Sequence, residues 1–407
     1  MRILFVSNLF PCVASKVQGI FTLRQVETAT RLGADITVLF TTVWIPQMLQ
    51  YLSSRYKDYD KKHAPLDCSG IRVITVPAIR WTRGIEGYRW DGLFIYHAAK
   101  KKVLSLHQKT PFDVIYGKGI FPSADAAVRF AKLLHIPAIG EGIGGDVNIV
   151  PDYSPAMYRH FLKTTQALDG AVADGKGVAE RLSGVMHKDI PTIHGLVDLE
   201  TFRPVANKTA VRSELNISAA SLALLYVGSL QKEKGVYELI NAFCKIREII
   251  PHAVLNLCGS GTEYSRLLTL IAERKLQGSV HLVGDVDPAD MHKWMQASDI
   301  FILPSYTEGM PNVVMEAMAC GLPVISTAVG GLPEAIGSCP GAVLIEPRSV
   351  DLLASAIVTI GTNKELCLRM GAVARQKAEQ KFGAEANCQK MLDYIKTVIA
   401  RYKKHSQ

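Results

Sequence analysis

The chain has 407 residues, 48 % hydrophobic and 20 % charged, a balance that excludes a disordered or fibrous protein and leaves room for two domains. Its formal net charge is +9, and the excess is local: residues 51–109 hold 12 basic residues against five acidic ones. Eight scattered cysteines without a Cys-x2-Cys pair predict reduced thiols and no metal site, and no apolar run reaches the roughly 18 residues of a membrane span, so the chain is expected to stay in the cytoplasm.

In chain order, Arg2–Asn8 reads as a buried strand, followed by a loop with Pro11 and Gly19 and a helix over Phe21–Leu32 that stops at Gly33. Asp35–Thr41 is a second strand. Ile71–Val76, Asp113–Tyr116, Pro137–Gly140 and Gly170–Ala173 follow, with helix-length segments between them. The pattern restarts at Leu222–Gly228, a strand leading into the helical stretch Val236–Ile250. Strands Ala253–Cys258, Ser279–Val283, Asp299–Leu303 and Pro323–Ser326 come next. Strands alternating with helices predict parallel sheets.

The polar segment Phe202–Ser221 reads as a linker between the two series. The expected architecture is α/β, with two Rossmann-like, doubly wound domains at 1–203 and 204–383 facing a central cleft. Ala384–Lys404 is amphipathic, and the helix 384–407 is expected to complete the first domain.

Hydride transfer with a nicotinamide cofactor needs Gly-x-Gly-x-x-Gly straight after a strand. The loops Ser7-Asn8-Leu9-Phe10-Pro11 and Gly228-Ser229-Leu230-Gln231 lack it, and Gly-x4-Gly-Lys-Ser/Thr is also missing. The segment Pro304–Glu316 is more informative. It follows a strand, so it falls at the carboxyl end of the second sheet, where open parallel sheets bind ligands. Pro311 suits the first turn of a helix. Glu308 then lies in the loop and Glu316 about a turn into the helix. The amides of Gly309, Met310 and Asn312, with the helix dipole, make a site for a diphosphate. Gly309 admits a ligand close to the backbone, and the two carboxylates can accept bonds from sugar and ribose hydroxyls.

Glu308-Gly309-Met310-Pro311-x4-Glu316 is also the point at which the chain resembles glycosyltransferase family 4, retaining enzymes of two-Rossmann GT-B fold. The likeness continues in Val227-Gly228-Ser229-Leu230 with Lys234-Gly235. It extends through Ala319-Cys320-Gly321-Leu322-Pro323 and Val329-Gly330-Gly331-Leu332-Pro333-Glu334. In the first domain, His194-Gly195-Leu196-Val197-Asp198 matches a family motif. Asp146-Val147-Asn148, and Asn8-Leu9-Phe10-Pro11 with Gly19, resemble a branch that includes teichuronic acid and exopolysaccharide transferases.

The resemblance implies a hexosyl-type transferase that takes a nucleoside-diphosphate sugar and needs neither a metal nor another cofactor. Glu308 would hold the donor sugar, Glu316 the ribose and Lys234 the diphosphate. Gly309, Met310, Pro311, Asn312 and Ser229 would complete the donor site. Gly19 would either approach the donor phosphate or serve as a turn glycine. The acceptor, a glycan or lipid-linked hydroxyl in cell-surface polysaccharide or glycolipid synthesis, would meet the first domain.

Two positions depart from the family pattern: Ser229 stands where arginine is usual, and Ile143 where histidine is common. Glu141 and Asp146 either orient the acceptor or are loop carboxylates that cap a helix or accept backbone amides.

The basic stretch 51–109 also carries Tyr51, Tyr56, Tyr59, Trp81, Tyr88, Trp90, Phe94 and Tyr96. Aromatics among cations suit peripheral contact with an anionic membrane face, or else a solvated helix with core aromatics. No nucleic-acid module accompanies them. A sugar-nucleotide epimerase of the same fold and a non-catalytic sugar-nucleotide or membrane-binding protein are the alternative functions.

Overall fold

The computed structural model describes every residue except 53–56, 67, 69, 81–83 and 407. Tyr56 and Trp81 therefore lie outside the described residues. The chain divides into two compact units: Met1–Leu196 with Ala384–Gln407, and Val197–Gly383.

The first unit holds strands β1 (Arg2–Ser7), β2 (Asp35–Val43), β3 (Arg72–Ala78), β4 (Val114–Lys118), β5 (Ala138–Gly142) and β6 (Gly170–Ala173). They form one parallel sheet in the order β3-β2-β1-β4-β5-β6. The second unit holds β7 (Leu222–Val227), β8 (Ala253–Cys258), β9 (Val280–Gly284), β10 (Ile300–Leu303), β11 (Val324–Thr327) and β12 (Ala342–Ile345). Their order, β12-β11-β10-β7-β8-β9, is the same doubly wound arrangement seen from the other edge. Each sheet is covered by helices on both faces, so its inner strands are apolar throughout: all six residues of β7 are buried.

In each sheet the direction of winding reverses beside the first strand. In the second unit that place lies between β7 and β10, which pair side by side through Ile300 with Leu224 and Phe301 with Leu225. The loops that leave their carboxyl ends, 228–235 and 304–311, are therefore neighbours. The C-terminal helix Ala384–Ser406 contributes Cys388, Met391, Leu392, Ile395 and Val398 to the core of the first unit, against Phe5, Val26 and Val38.

Three sequence expectations need correction. Residues 202–221 are not a free linker. Phe202 is buried in the second unit, and Lys208–Glu214 is a helix. Arg212 of that helix is buried, donating to the Ala297 carbonyl at 2.8 Å and to Asp299 Oδ2 at 2.5 Å. The boundary accordingly falls at 196/197 instead of 203/204. Strand β12 was missed because it is four residues long, partly exposed and paired on one side only. Glu141 is a buried residue of β5, not of a loop.

Candidate active site

In the second unit, β7 ends at Val227 and the chain turns through Ser229 to a short 3-10 turn, Lys232–Lys234. Gly235 follows at φ 69°, and Val236–Ile249 is a helix. A β-carbon on Gly235 would lie 2.0 Å from the carbonyl oxygen of Pro304, so glycine is required by contact as well as by φ. That contact presses the loop after β7 onto the loop after β10. The amide of Tyr306 donates to the Glu233 carbonyl at 2.8 Å across the same seam.

The opposite side of the Glu308 loop is held as tightly. Gly330, at φ 57°, packs so close that a β-carbon would sit 1.8 Å from the Glu308 carbonyl oxygen. The Gly331 amide donates to the Gly309 carbonyl at 2.8 Å. Tyr306 anchors the base of the loop: its hydroxyl donates to Glu238 at 2.6 Å, and the Arg348 guanidinium lies 4.6 Å from its ring centre. Burial, then the Glu238 bond, push the Tyr306 phenol up to about 12.

Glu308 is thus fixed from two directions, and its side chain is only 10 % exposed. Oε1 accepts from Lys234 Nζ at 2.7 Å and from Ser305 Oγ at 2.6 Å. Tyr226 donates its hydroxyl to the Ser229 carbonyl at 2.8 Å. Burial chiefly, with the Glu308 charge second, raises the Tyr226 phenol far above its ordinary range. It therefore remains a neutral donor.

Pro311 sits one residue before the helix Asn312–Ala319 and caps it with extended φ/ψ, instead of occupying its first turn. At the start of that helix the Val314 amide donates back to the Pro311 carbonyl at 3.1 Å, which leaves the amides of Asn312 and Val313 ahead of it, and the dipole is positive at that end. Glu316 is buried on the same helix. The structure therefore brings Ser229, Lys234, Glu308, Gly309, Met310, Pro311, Asn312 and Glu316 into one unit, on loops and a helix after β7 and β10.

The remaining predicted residues belong to the first unit. Gly19, at φ 77°, precedes the helix Ile20–Arg31, and a β-carbon there would lie 2.5 Å from the Leu9–Phe10 peptide. Its close approach to its own loop is thus on view. Glu141 is enclosed in a polar network. It accepts from the Tyr116 hydroxyl at 2.6 Å and from Gln25 at 3.0 Å, and pairs with Lys118 at 2.5 Å. Asp146 accepts the amides of Ile120 at 2.6 Å and Ile143 at 2.9 Å. Burial raises its carboxyl to about 6, against the pull of those two amides.

Sequence reasoning missed Ser305 and Tyr226, which hydrogen-bond to Glu308 and to the Ser229 carbonyl in the loops after β10 and β7. The Ser305–Glu308 spacing was the available signal for one of them. It also missed a pocket in the first unit that contains Asp91.

Residues 207–377, nearly the whole second unit, match the family Glycosyl transferases group 1. The chain is 29 % identical over 360 residues to a putative teichuronic acid biosynthesis glycosyltransferase, TuaC, of Bacillus subtilis, covering 88 % of each chain. Among solved structures it is similar in fold to sucrose-phosphate synthase from Thermosynechococcus elongatus, with TM-score 0.78, 21 % identity, and 98 % and 100 % of the two chains covered. It is similar also to Anabaena HepE in complex with UDP-glucose, with TM-score 0.70, 19 % identity and the same coverage. The fold is GT-B. In sequence the chain is similar to glycosyltransferases of the family 4 type, exopolysaccharide enzymes among them, and the family match falls on residues 207–377.

Proposed function

We propose that the protein is a retaining transferase that moves a hexosyl group from a nucleoside-diphosphate sugar to a hydroxyl of a glycan or lipid-linked acceptor. The observation that carries this reading is the Lys234–Glu308 pair at 2.7 Å, set at the switch point beside the start of the helix Asn312–Ala319. The HepE complex with UDP-glucose supports a nucleotide-sugar donor on this fold.

In the reaction, the bond from the anomeric carbon to the diphosphate oxygen breaks. The acceptor oxygen bonds to the same carbon on the same face, and the acceptor proton passes to the departing phosphate oxygen. Lys234 and the first-turn amides stabilise the negative charge that develops there, more in the transition state than in the ground state. That cation takes the part a metal would otherwise play, so the reading assigns no metal or other cofactor. Glu308 holds donor-sugar hydroxyls, and Glu316 the ribose hydroxyls. Ser229 cannot supply the bidentate fork of an arginine, so in this reading Lys234 carries the diphosphate charge with help from the exposed Lys232 or from a basic residue of the first domain.

The name of the Bacillus relative supports a role in cell-surface polysaccharide synthesis. Among the described residues no helix is long and apolar enough to cross a membrane. The exposed rings of Tyr51 and Trp90, and the exposed Lys101 and Lys102, support peripheral contact with the inner, anionic face of the cell membrane. Glu308→Ala tests the active-site assignment. Turnover with every accepted donor is expected to collapse, and unchanged turnover would overturn the assignment.

A further inference from the structure

Strand β12 leads through Glu346, Pro347 and Arg348 into the helix Val350–Gly361, which Ser349 caps by accepting the Leu352 amide at 3.3 Å. Arg348 holds φ 64°, in the left-handed region that disfavours a side chain. Six non-glycine residues among those described have a positive φ. His135, His187, Asn216 and Lys275 stand just past helix C-termini, where a left-handed residue closes the helix. Asp58 has the short polar side chain that tolerates the region. Arg348 has neither reason, and glycine would make the same turn without strain. The explanation lies in what its side chain does.

That side chain reaches the loop after β10. The Arg348 guanidinium carbon lies 4.6 Å from the Tyr306 ring centre, a cation–π distance. Tyr306 has two further ties. Its hydroxyl donates to Glu238 Oε1 at 2.6 Å, and its amide donates to the Glu233 carbonyl at 2.8 Å. Glu238 sits in the first turn of the helix Val236–Ile249, and its Oε2 is buried with no hydrogen-bond partner among the described residues. Tyr306 thus has an anion at its hydroxyl and a cation over its face, two opposite charges that attract one another across the ring.

The ring stands beside the Lys234–Glu308 pair in sequence on both sides of the seam. Tyr306 follows Ser305, whose hydroxyl donates to Glu308 Oε1 at 2.6 Å. Glu233 precedes Lys234, which meets the same oxygen at 2.7 Å. Whatever holds Tyr306 against Glu233 and Glu238 therefore holds the two loops that carry the pair. Arg348 is exposed, so its hold is an adjustment of about two- to fivefold in loop order, the factor an exposed cation–π contact carries.

We propose that Arg348 is a positioning residue for the Lys234–Glu308 pair, acting through the face of Tyr306, and that its left-handed backbone is strain retained for that contact. The proposal rests on the donor-site reading above and adds to it a residue from a loop that carries none of the predicted site residues.

The test is hydrogen–deuterium exchange with mass spectrometry on the full chain, read in peptides covering 304–311, beside melting curves. Arg348→Gly removes the guanidinium and the strain together. Exchange in 304–311 should quicken about two- to fivefold, while peptides of β8 are unchanged and the melting temperature does not fall. Arg348→Lys keeps the strain and the charge but loses the planar stack. It should melt below Arg348→Gly and restore part of the protection. In a Tyr306→Leu background, Arg348→Gly should add nothing, because its route runs through the ring. In hydrolysis of UDP-glucose, GDP-glucose or ADP-glucose, whichever is accepted, kcat of Arg348→Gly should fall by the same factor. Unchanged exchange in 304–311, an equal rise across the whole chain, or full additivity with Tyr306→Leu overturns the proposal. A parallel titration of the wild type with UDP separates the two readings. Faster loop exchange in Arg348→Gly without any nucleotide binding by the wild type would sink the donor assignment and leave the hold of Arg348 on the loop standing.

Discussion

Lys234 Nζ lies 2.7 Å from Glu308 Oε1, across a sequence separation of 74 residues. The carboxylate is 10 % exposed and the lysine side chain 26 % exposed. If the proposed donor reading holds, the pair already places a cation where phosphate charge would develop, so little reorganisation would be needed. Lys234→Met should lower kcat with the accepted donor by at least about a hundredfold, the usual cost of losing one preorganised electrostatic contact. Steady-state kinetics beside a melting curve checks this. A loss of thermal stability with kcat intact would make the lysine a structural residue only.

Two glycines hold that carboxylate in place, and Gly330 is the more exacting. A methyl group there would strain a φ of 57° and collide with the Glu308 carbonyl oxygen. Gly330→Ala is expected to lower the melting temperature by several degrees and to weaken nucleotide binding, although residue 330 carries no side chain that could touch a ligand. Gly278→Ala, where a β-carbon meets nothing within 4 Å, serves as the control and should change neither. Equal behaviour of the two variants in calorimetry and nucleotide titration would refute the clamp.

Asp91 gives the first unit a pH signature. Its folded carboxyl titrates at about 6, above the ordinary 3.8, chiefly because of burial. Between those values the folded state holds a proton that the unfolded state has released. Its contribution therefore falls as pH rises from about 4 to 6, and stays at its lowest above 6. Asp146, raised to about 6 by burial as well, acts in the same direction. Asp91→Asn should accordingly melt above the wild type at pH 7, with a gap that narrows as pH is lowered towards 4. A gap that is constant with pH would contradict the buried-charge account.

Much of the fold was legible because parallel strands covered on both faces read as apolar runs. Ala253–Cys258 and Gly170–Ala173 have the bounds expected of them. What was not legible depended on distant partners. Residues 208–214 look solvated because Lys208 and Arg212 are charged, yet both pair with Asp299. Glu141, between Gly140 and Gly142, looks like a loop acid until Lys118, Tyr116 and Gln25 are seen to surround it. Edge strand β12 was too short to give a period. The loop before the helix Asn312–Ala319 was readable because its parts lie within one stretch, 304–316, where glycine, proline and helix follow in order. The Asp91 cavity was not, because its wall comes from loops far apart in sequence.

The most direct test of the proposed donor site is a thermal-shift titration of the wild type with UDP, GDP, ADP and their glucose conjugates. A ligand that binds only the folded state raises the melting temperature by mass action, equivalent to about 2.7 kcal/mol at a hundredfold excess over Kd. A rise with at least one nucleoside diphosphate, lost or reduced in Lys234→Met, is the predicted result. No shift with any of them would contradict the account.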